Sequence, residues 1–316
     1  MHDGNARSPL APVLLAGPTA VGKSAVALAL AEMLGGEIIS VDSMQVYRGL
    51  DLGTAKPSAA ERARVPHHLL DVVALSEAFD AAQFVRLATA AVAEIQARGR
   101  VPIFCGGTGL YFKAWLEGLG EAPPSDARVR AELEATPLSE LLVELEQRDP
   151  LTYARIDRQN PRRVIRAVEV IRLTGKPFSA QRANWNPEVR SQKSEVIFCF
   201  SREPADLRAR IETRVDTMFA AGLVDETRAL LSLGLQQNRN AMQALGYRQV
   251  VAHLAGEGGL AETIALVKTK TWQFARRQGT WFRSQLSVER VPLAADADAT
   301  SVARGLLDRH GRRSAQ

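Results

Sequence analysis

Directly after the apolar run Val13-Leu14-Leu15-Ala16 the chain reads Gly17-Pro18-Thr19-Ala20-Val21-Gly22-Lys23-Ser24, and the stretch that follows, Ala25 to Leu34, is rich in alanine and leucine. The first flank has strand character and the second helical character, so the glycines sit at the turn between them. In such a turn backbone N–H groups can face inward around anionic oxygens. Lys23 adds a point charge, and Ser24 offers a hydroxyl to a magnesium ion at the helix N-terminus. An ordinary glycine-containing turn is the structural alternative, but it does not require this strand and helix context. The run therefore predicts a strand–loop–helix unit that holds a di- or triphosphate through Gly17, Pro18, Thr19, Ala20, Val21, Gly22, Lys23 and Ser24.

Further apolar β-rich runs at Glu37–Val41, Val101–Cys105 and Glu195–Phe200 alternate with helical patterns at Ser24–Leu34, Ala81–Arg98 and Thr108–Leu116. Alternation of this kind predicts an α/β fold in which helices cover a doubly wound parallel sheet. Pro123-Pro124-Ser125 breaks the pattern, with Ser125 a candidate N-cap for a fresh helix. From there to about Arg190 the reading is helical without strands: Leu138–Glu146, Leu151–Ile156 and Arg162–Leu173, the last stopped by Gly175-Lys176-Pro177. The expected organisation is a core formed by residues 1–122 and 193–316, interrupted by an all-helical insertion over 123–192. Helical segments near Pro204–Ala220, Leu223–Leu233 and Leu260–Arg283 complete the second part, and the ends, 1–9 and 310–316, read as mobile tails.

With 46% hydrophobic residues the 316-residue chain can furnish a sizeable core, yet no apolar stretch approaches the length of a bilayer span and no secretory leader is legible. A soluble cytoplasmic protein is expected. Cys105 and Cys199 each fall inside an apolar strand, which reads as two inert core thiols rather than a disulfide or a metal pair. The adjacent His67 and His68 cannot comfortably share one metal and are expected to be structural. The net charge of +5 decides little, but its distribution is informative. Arg155, Arg158, Arg162, Arg163 and Arg166 stand against the single acid Asp157, and Lys268, Lys270, Arg276, Arg277 and Arg283 have no acid among them. Two separated cationic stripes suggest a long polyanion.

The second strand delivers Asp42 at its C-terminal end, which would lie beside the phosphate loop if the first two strands are neighbours, because ligands in such sheets bind at strand C-termini. Asp42 reads as a turn or N-cap residue, a magnesium partner, or a general base. The block from Asp42 to Pro57 is too polar for a core element and is expected to line the site. A third loop, Gly106-Gly107-Thr108-Gly109, again leaves an apolar strand, so Thr108 either aims its hydroxyl at the same anion or caps the following helix. In the last cationic segment, helical spacing puts Ile264, Val267, Thr271, Phe274, Gln278 and Trp281 on one face, expected to be core. Lys268, Trp272, Arg276, Gly279 and Arg283 fall on another, expected to face the polyanion, with Trp272 able to stack on a base if that polyanion is a nucleic acid, although packing is the commoner fate of a tryptophan.

Gly17–Ser24, Asp42–Pro57, Gly106–Gly118, Asn160–Val170 with Thr174–Pro177, Leu245–Arg248 and Thr271–Arg283 together resemble the tRNA dimethylallyltransferases, from about Val13 to Arg283. This resemblance implies a P-loop kinase-like core and transfer of the dimethylallyl group from dimethylallyl diphosphate to N6 of the adenosine 3′-adjacent to a tRNA anticodon. The phosphate loop would then hold a leaving group, with Mg2+ on Ser24. Asp42 would be the general base, and Thr108 and Arg214 would assist as diphosphate leaves; from sequence alone Arg214 reads simply as a solvated helix charge. The resemblance also implies RNA contacts for Asp42, Ser43, Met44, Gln45, Thr108 and Arg130. It extends them to Arg162, Arg163, Val164, Ile165 and Arg166, although an isolated charge run there could equally be a solvated helix face. Further along it implies contacts for Gln243, Ala244, Leu245, Gly246, Tyr247 and Arg248, and for Arg276, Arg277, Gln278, Gly279, Thr280, Trp281, Phe282 and Arg283. The expected partners are the anticodon stem-loop and dimethylallyl diphosphate, with no membrane and a monomeric protein. Two departures from the family pattern stand out: Val21 in place of a small polar residue, which removes one hydroxyl near the diphosphate, and Ser24 in place of threonine, which keeps the metal contact. Rival readings are a small-molecule kinase, prenyl transfer to a free adenine nucleotide, and an RNA-binding protein switched by a nucleotide.

Overall fold

The computed structural model describes residues 11–181 and 196–314, with side chains as far as Arg309. The expected tail at 1–9 and the first residue of the strand placed at Glu195 lie outside the described residues. The chain divides into two compact units, Met1–Lys113 with Ser194–Gln316, and Ala114–Lys193.

The first unit carries one six-stranded parallel sheet. Its strands are β1 (Val13–Ala16), β2 (Glu37–Val41), β3 (His67–His68), β4 (Pro102–Gly106), β5 (Ile197–Ser201) and β6 (Val288–Pro292). They lie in the order β3-β2-β4-β1-β5-β6. All pairings are parallel, and the central strands β1, β2 and β4 are buried throughout, as an apolar run without alternation requires when helices cover both faces. β4 lies between β1 and β2, so the condition that the first two strands are neighbours is not met. Ala16 and Val41 are each level with Gly106, and the three C-terminal ends form one rim.

The helices in chain order are α1 (Lys23–Leu34), α2 (Ala59–Arg64), α3 (Ala81–Ala97) and α4 (Gly109–Glu117), then α5 (Ala127–Ala135), α6 (Leu138–Arg148), α7 (Pro150–Arg155), α8 (Pro161–Thr174) and α9 (Phe178–Gln181), and finally α10 (Pro204–Ala220), α11 (Leu223–Ser232), α12 (Tyr247–Leu254), α13 (Leu260–Gln285) and α14 (Ala299–Ser314). α1 buries Val26, Ala27, Leu30 and Ala31 in a core shared with Val13, Leu15, Phe198, Phe200, Ile211 and Val267. β6 and α14 escape a reading of the sequence because both are largely polar: β6 carries Glu289 and Arg290, and α14 runs through residues expected to form the closing tail.

The second unit is helical. Its core joins Val129 and Leu133 of α5, Leu141 and Leu145 of α6, and Val164, Val168 and Ile171 of α8. The N-cap of α5 is Asp126, whose carboxylate accepts the Val129 N–H, rather than the expected Ser125. The Ser125 hydroxyl instead donates to Glu169. Buried Asp149 caps α7 through the Thr152 N–H and also accepts from the Ser179 N–H and hydroxyl, which ties α9 back to α7.

On α13 the buried face differs from the expected one. Its buried residues are Thr263, Val267, Ala275, Gln278 and Phe282, while Phe274 is exposed beneath the Arg277 guanidinium. Trp272, open to stacking on a base or to the commoner fate of packing, packs against the sheet core. Val267 and Gln278 are buried as expected, and the misplacement is local, with Ala275 and Phe282 buried where the spacing put Phe274 and Trp281. Among the described residues no helix is long and apolar enough to cross a membrane.

Candidate active site

The three loops leaving the rim of β1, β2 and β4 bring Gly17–Ser24, Asp42 and Thr108 together. Gly17 has φ +145°, and a Cβ there would stand 2.8 Å from the Phe200 carbonyl oxygen on β5, so the loop leaves β1 in a way that only glycine permits. Ala20 is held at φ 62°. Two arginines, one in the segment leading into α10 and one on α10 itself, grip this backbone: Arg202 Nε donates to the Val21 carbonyl at 2.8 Å, and Arg210 Nε donates to the Ala20 carbonyl at 3.0 Å. The Val21 side chain is fully buried in the core, so it points away from the loop's concave side.

Lys23 opens α1, with Gly22 as the N-cap, and its Nζ donates to the Pro18 carbonyl at 2.7 Å, while Ser24 is exposed on the first turn. Burial pushes the Lys23 ammonium down to about 8; Arg214 acts in the same direction, and Cys105 and Asp42 oppose it. Arg214 is likewise lowered from its ordinary range by burial, against the pull of Asp42, and its Nη2 donates to the Thr54 carbonyl at 3.5 Å. Two cations and one carboxylate thus share a partly desolvated space at the rim. The two thiols nearest Lys23, Cys105 and Cys199, are each raised to about 11 by burial, which makes them poor nucleophiles.

Asp42 Oδ1 accepts from the N–H groups of Met44 (2.8 Å) and Gln45 (3.3 Å), a turn that aims the carboxylate into the rim. The Thr108 hydroxyl accepts the Ser43 N–H at 3.1 Å, so it braces the Asp42 loop. The rest of the Asp42–Pro57 block is less exposed than its polarity suggests. Val46, Tyr47 and Leu50 are fully buried, which corrects the expectation that the whole block lines the site. Lys56 turns its Nζ inward onto the Tyr47 carbonyl, Asp51 and Asp71. Gln45 donates to the Thr54 and Ala55 carbonyls and accepts from Ser40. The Tyr247 hydroxyl donates to Glu226 and accepts the Gly53 N–H at 3.1 Å, and the Glu226 carboxylate also accepts the Leu52 N–H. Loop 51–54, which carries the carbonyl that Arg214 reaches, is therefore held by α11 and α12.

Of the residues expected to touch RNA, Ser43, Met44, Gln45 and Thr108 are half-buried at the rim, and Arg162, Arg163, Gln243, Arg248, Arg276, Arg277, Thr280 and Arg283 are exposed. Gly279, Trp281 and Leu245 are half-buried, and Trp281 lies against Gly109. Val164, Ile165, Ala244, Gly246, Tyr247, Gln278 and Phe282 are buried, so they form framework and offer no RNA contact surface, which corrects the expectation for them. In the helical unit Arg130 and Arg166 are clamped by fully buried Glu169, at 2.6 and 2.7 Å. Glu169, Arg202, Arg210 and Glu226 are not singled out by the sequence. Arg210 stands one helical turn before Arg214 and Glu169 three residues after Arg166, and these two spacings are the only signals that could have found them.

The IPP transferase family profile matches residues 45–285. A tRNA dimethylallyltransferase of Geobacter metallireducens is 48% identical over 86% of this chain and 89% of its own, and one of Halorhodospira halophila is 49% identical over 87% and 91%. This chain belongs to the IPP transferase family. The crystal structure of a full-length tRNA isopentenylpyrophosphate transferase from Bacillus halodurans superposes with a TM-score of 0.68 at 38% identity, covering 96% of this chain and 98% of that one. A eukaryotic dimethylallyltransferase acting on tRNA aligns with a TM-score of 0.78 at 26% identity over 97% and 77%. The family profile begins at residue 45, so the Gly17–Ser24 loop and Asp42 stand just before the matched stretch.

Proposed function

We propose that this IPP transferase moves the dimethylallyl group from dimethylallyl diphosphate to N6 of adenosine 37, the residue 3′-adjacent to the tRNA anticodon, and releases diphosphate. The observation that carries this reading is the convergence of a phosphate loop, a carboxylate and two cations at the rim of β1, β2 and β4, in a chain with exposed cationic stripes. A phosphoryl-transfer enzyme would need the same loop, but it would have no use for an RNA-length cationic surface.

In this reading the allylic C1–O bond breaks and its electron pair leaves with the diphosphate, while a new bond forms from N6 to C1. The adenine amine is a weak nucleophile because its lone pair is delocalised into the ring, so its proton must be taken as the bond forms. Asp42 takes that proton. Its Oδ1 is engaged by the two turn amides, and the base role therefore falls to Oδ2. Negative charge grows on the leaving oxygens, and in this reading Lys23, Arg214, the Thr108 hydroxyl and the loop N–H groups stabilise it. Among the described residues no three His, Cys, Asp or Glu side chains form a metal cage. The Ser24 hydroxyl, a hard oxygen donor in the first turn of α1, would hold a magnesium ion there. When bound, the ion supplies further positive charge to the leaving group.

The target adenosine must leave its stack before N6 can reach the rim, at a cost of a few kcal/mol that contacts along the stem offset. Exposed Arg276, Arg277 and Arg283 on α13 and Arg248 on α12 are the proposed phosphate contacts of the first unit, and Arg130, Arg162, Arg163 and Arg166 those of the helical unit. The protein is proposed to act as a cytoplasmic monomer. The test is transfer of label from radiolabelled dimethylallyl diphosphate to tRNA that lacks the modification, with AMP in a parallel reaction. Label in the tRNA and none in AMP is expected. Label in AMP alone, or ATP turnover without prenyl transfer, would overturn the reading.

A further inference from the structure

The side chain of Gln278 connects two of the three rim loops. It sits on α13, is 9% exposed, accepts the Thr19 N–H through Oε1 at 2.9 Å, and donates from Nε2 to the Gly107 carbonyl at 2.9 Å. The contact is tight: a Cβ on Gly107 would stand 2.3 Å from Nε2, so glycine at this position is what admits the amide. Every polar atom of the amide group is thereby committed to the backbone of the phosphate loop or of the Thr108 loop. Thr19 is also the point where the phosphate loop has least other support. Pro18 before it has no N–H, its carbonyl is taken by Lys23, and the clamps from Arg202 and Arg210 begin only at Ala20 and Val21.

α13 presents a second set of groups to the outside. Arg276 and Arg277 immediately precede Gln278, and Thr280 and Arg283 follow within five residues, all exposed. Trp281, one turn further along, lies against Gly109 at the start of α4. One short stretch of helix therefore bears the proposed RNA contacts on its outer side and the fastening of the phosphate loop on its inner side.

We propose that Gln278 is a positioning residue that couples RNA on α13 to diphosphate in the Gly17–Ser24 loop, so that each ligand raises the affinity for the other. This rests on the proposed function, because it takes α13 to be an RNA-contacting helix. RNA held by Arg276, Arg277 and Arg283 fixes the helix, the helix fixes the Gln278 amide, and the amide fixes the Thr19 and Gly107 backbones in the arrangement that receives the anion. Reciprocity is required thermodynamically: if RNA tightens diphosphate binding by a given factor, diphosphate must tighten RNA binding by the same factor. Two hydrogen bonds from one buried amide are a sufficient physical link, since Gln278 cannot shift without leaving both backbone partners unmade.

The test uses the full chain, inorganic pyrophosphate with magnesium, and a synthetic anticodon stem-loop RNA, each titrated by calorimetry alone and in the presence of the other. For the unaltered protein a coupling factor of about 10 is expected, within the usual range of roughly 5 to 150. Gln278→Met keeps the bulk and removes both hydrogen bonds, and should bring the factor below about 2 while RNA alone still binds within about two-fold of the unaltered protein. Gln278→Glu keeps the acceptor for Thr19 and loses the donor to Gly107, and should give an intermediate factor; it also supplies the measurement if the methionine variant does not fold. Retention of the full factor in either folded variant overturns the proposal, as does an unaltered protein that binds both ligands without coupling. An unaltered protein that binds pyrophosphate but no RNA would instead overturn the tRNA reading itself, and the coupling with it. The two failures are therefore told apart by the first titrations.

Discussion

Strand β2 carries a carboxylate at each end, and the two are treated in opposite ways. At its start Glu37 is buried, accepts two hydrogen bonds from Arg98 and one from His68 at 2.6 Å, and has Arg100 at 3.6 Å. Burial works against its ionisation, yet the hydrogen bonds from Arg98 and His68 hold it below the ordinary carboxylate range. Just past the other end, Asp42 is fastened through one oxygen to two backbone amides, with Lys23 and Arg214 near enough to feel its charge while their own hydrogen bonds go to the carbonyls of Pro18 and Thr54. The same strand therefore ends in a directly ion-paired cluster on one side, and on the other in one whose cations bond to backbone carbonyls instead. A parallel sheet delivers all its C-terminal ends to one rim. Charges left unpaired at that rim are available to a ligand, whereas charges paired at the opposite edge only hold the fold.

The largest expected effect tests the open end. Asp42→Asn keeps the turn geometry and removes the proton acceptor, and should lower the single-turnover rate of prenyl transfer by about 10²- to 10⁴-fold. RNA affinity should stay within a few-fold. An unchanged rate would show that Asp42 serves the turn alone, and the contrast with Glu37 would collapse. The closed end should respond in stability instead. Glu37→Gln leaves Arg98 and Arg100 without their shared partner and should cost ~2–3 kcal/mol in urea unfolding. This is less than the 3–5 of a fully desolvated pair, because both arginines are about half exposed. Transfer rate in the folded variant should be unaltered. Because the folded pKa of Glu37 is depressed, its contribution is present above the unfolded value and lost as pH falls through the folded one, so unaltered protein and variant should converge in stability towards acid.

A smaller effect sharpens the open end from its cationic side. With the Lys23 ammonium pushed down to about 8, the ligand-free protein loses that charge as pH rises from 7 to 9. Pyrophosphate favours the charged form, so affinity should fall by up to about tenfold per pH unit above 8, with one proton taken up on binding there. Calorimetry in buffers of different ionisation enthalpy reads that proton directly. Affinity that is flat from pH 7 to 9 would mean that Lys23 stays charged and that burial at the rim is offset by neighbours.

Much of this contrast is legible in the amino-acid sequence, and the part that is not has physical causes. Strand–loop–helix context gives the turn between β1 and α1 and the parallel sheet, because Val13–Ala16 and Val101–Cys105 are apolar without alternation and the glycines leave few conformations for the turn. Asp42 and Thr108 follow from standing at strand ends. Gln278 is visible only as a polar residue on a helical face, since nothing local in a sequence reveals hydrogen bonds to Thr19 and Gly107, 259 and 171 residues away. Glu37 hides for the same reason: its partners come from α3 and β3, and an acid at the start of a strand reads as solvent-facing. The error on α13 is local: the spacing finds buried Val267 and Gln278 but puts Phe274 and Trp281 inward, where their neighbours Ala275 and Phe282 take the buried positions.

The helical unit holds a carboxylate that breaks a simple division between closed and open clusters. Glu169 is as buried as Glu37 and as fully paired, with Ser125, Arg130 and Arg166 as donors, and burial is again outweighed by those bonds, which hold it below the ordinary range. Its arginines, however, are about a third exposed and are proposed to meet RNA. If Glu169 aligns them, Glu169→Gln should weaken stem-loop binding by about 3- to 10-fold with little change in the salt dependence, because no phosphate contact has lost its charge. Arg276→Ala supplies the contrast and the smallest expected effect: a flattening of the log–log salt slope by ~0.7–0.9, one phosphate's worth. Titrations from about 50 to 300 mM salt distinguish the two, since a positioning carboxylate shifts the whole line and a contacting cation tilts it. A tilt from Glu169→Gln would mean that the buried pairing holds a phosphate contact in place outright. No shift at all would return Glu169 to the role of Glu37, a carboxylate that holds only the fold.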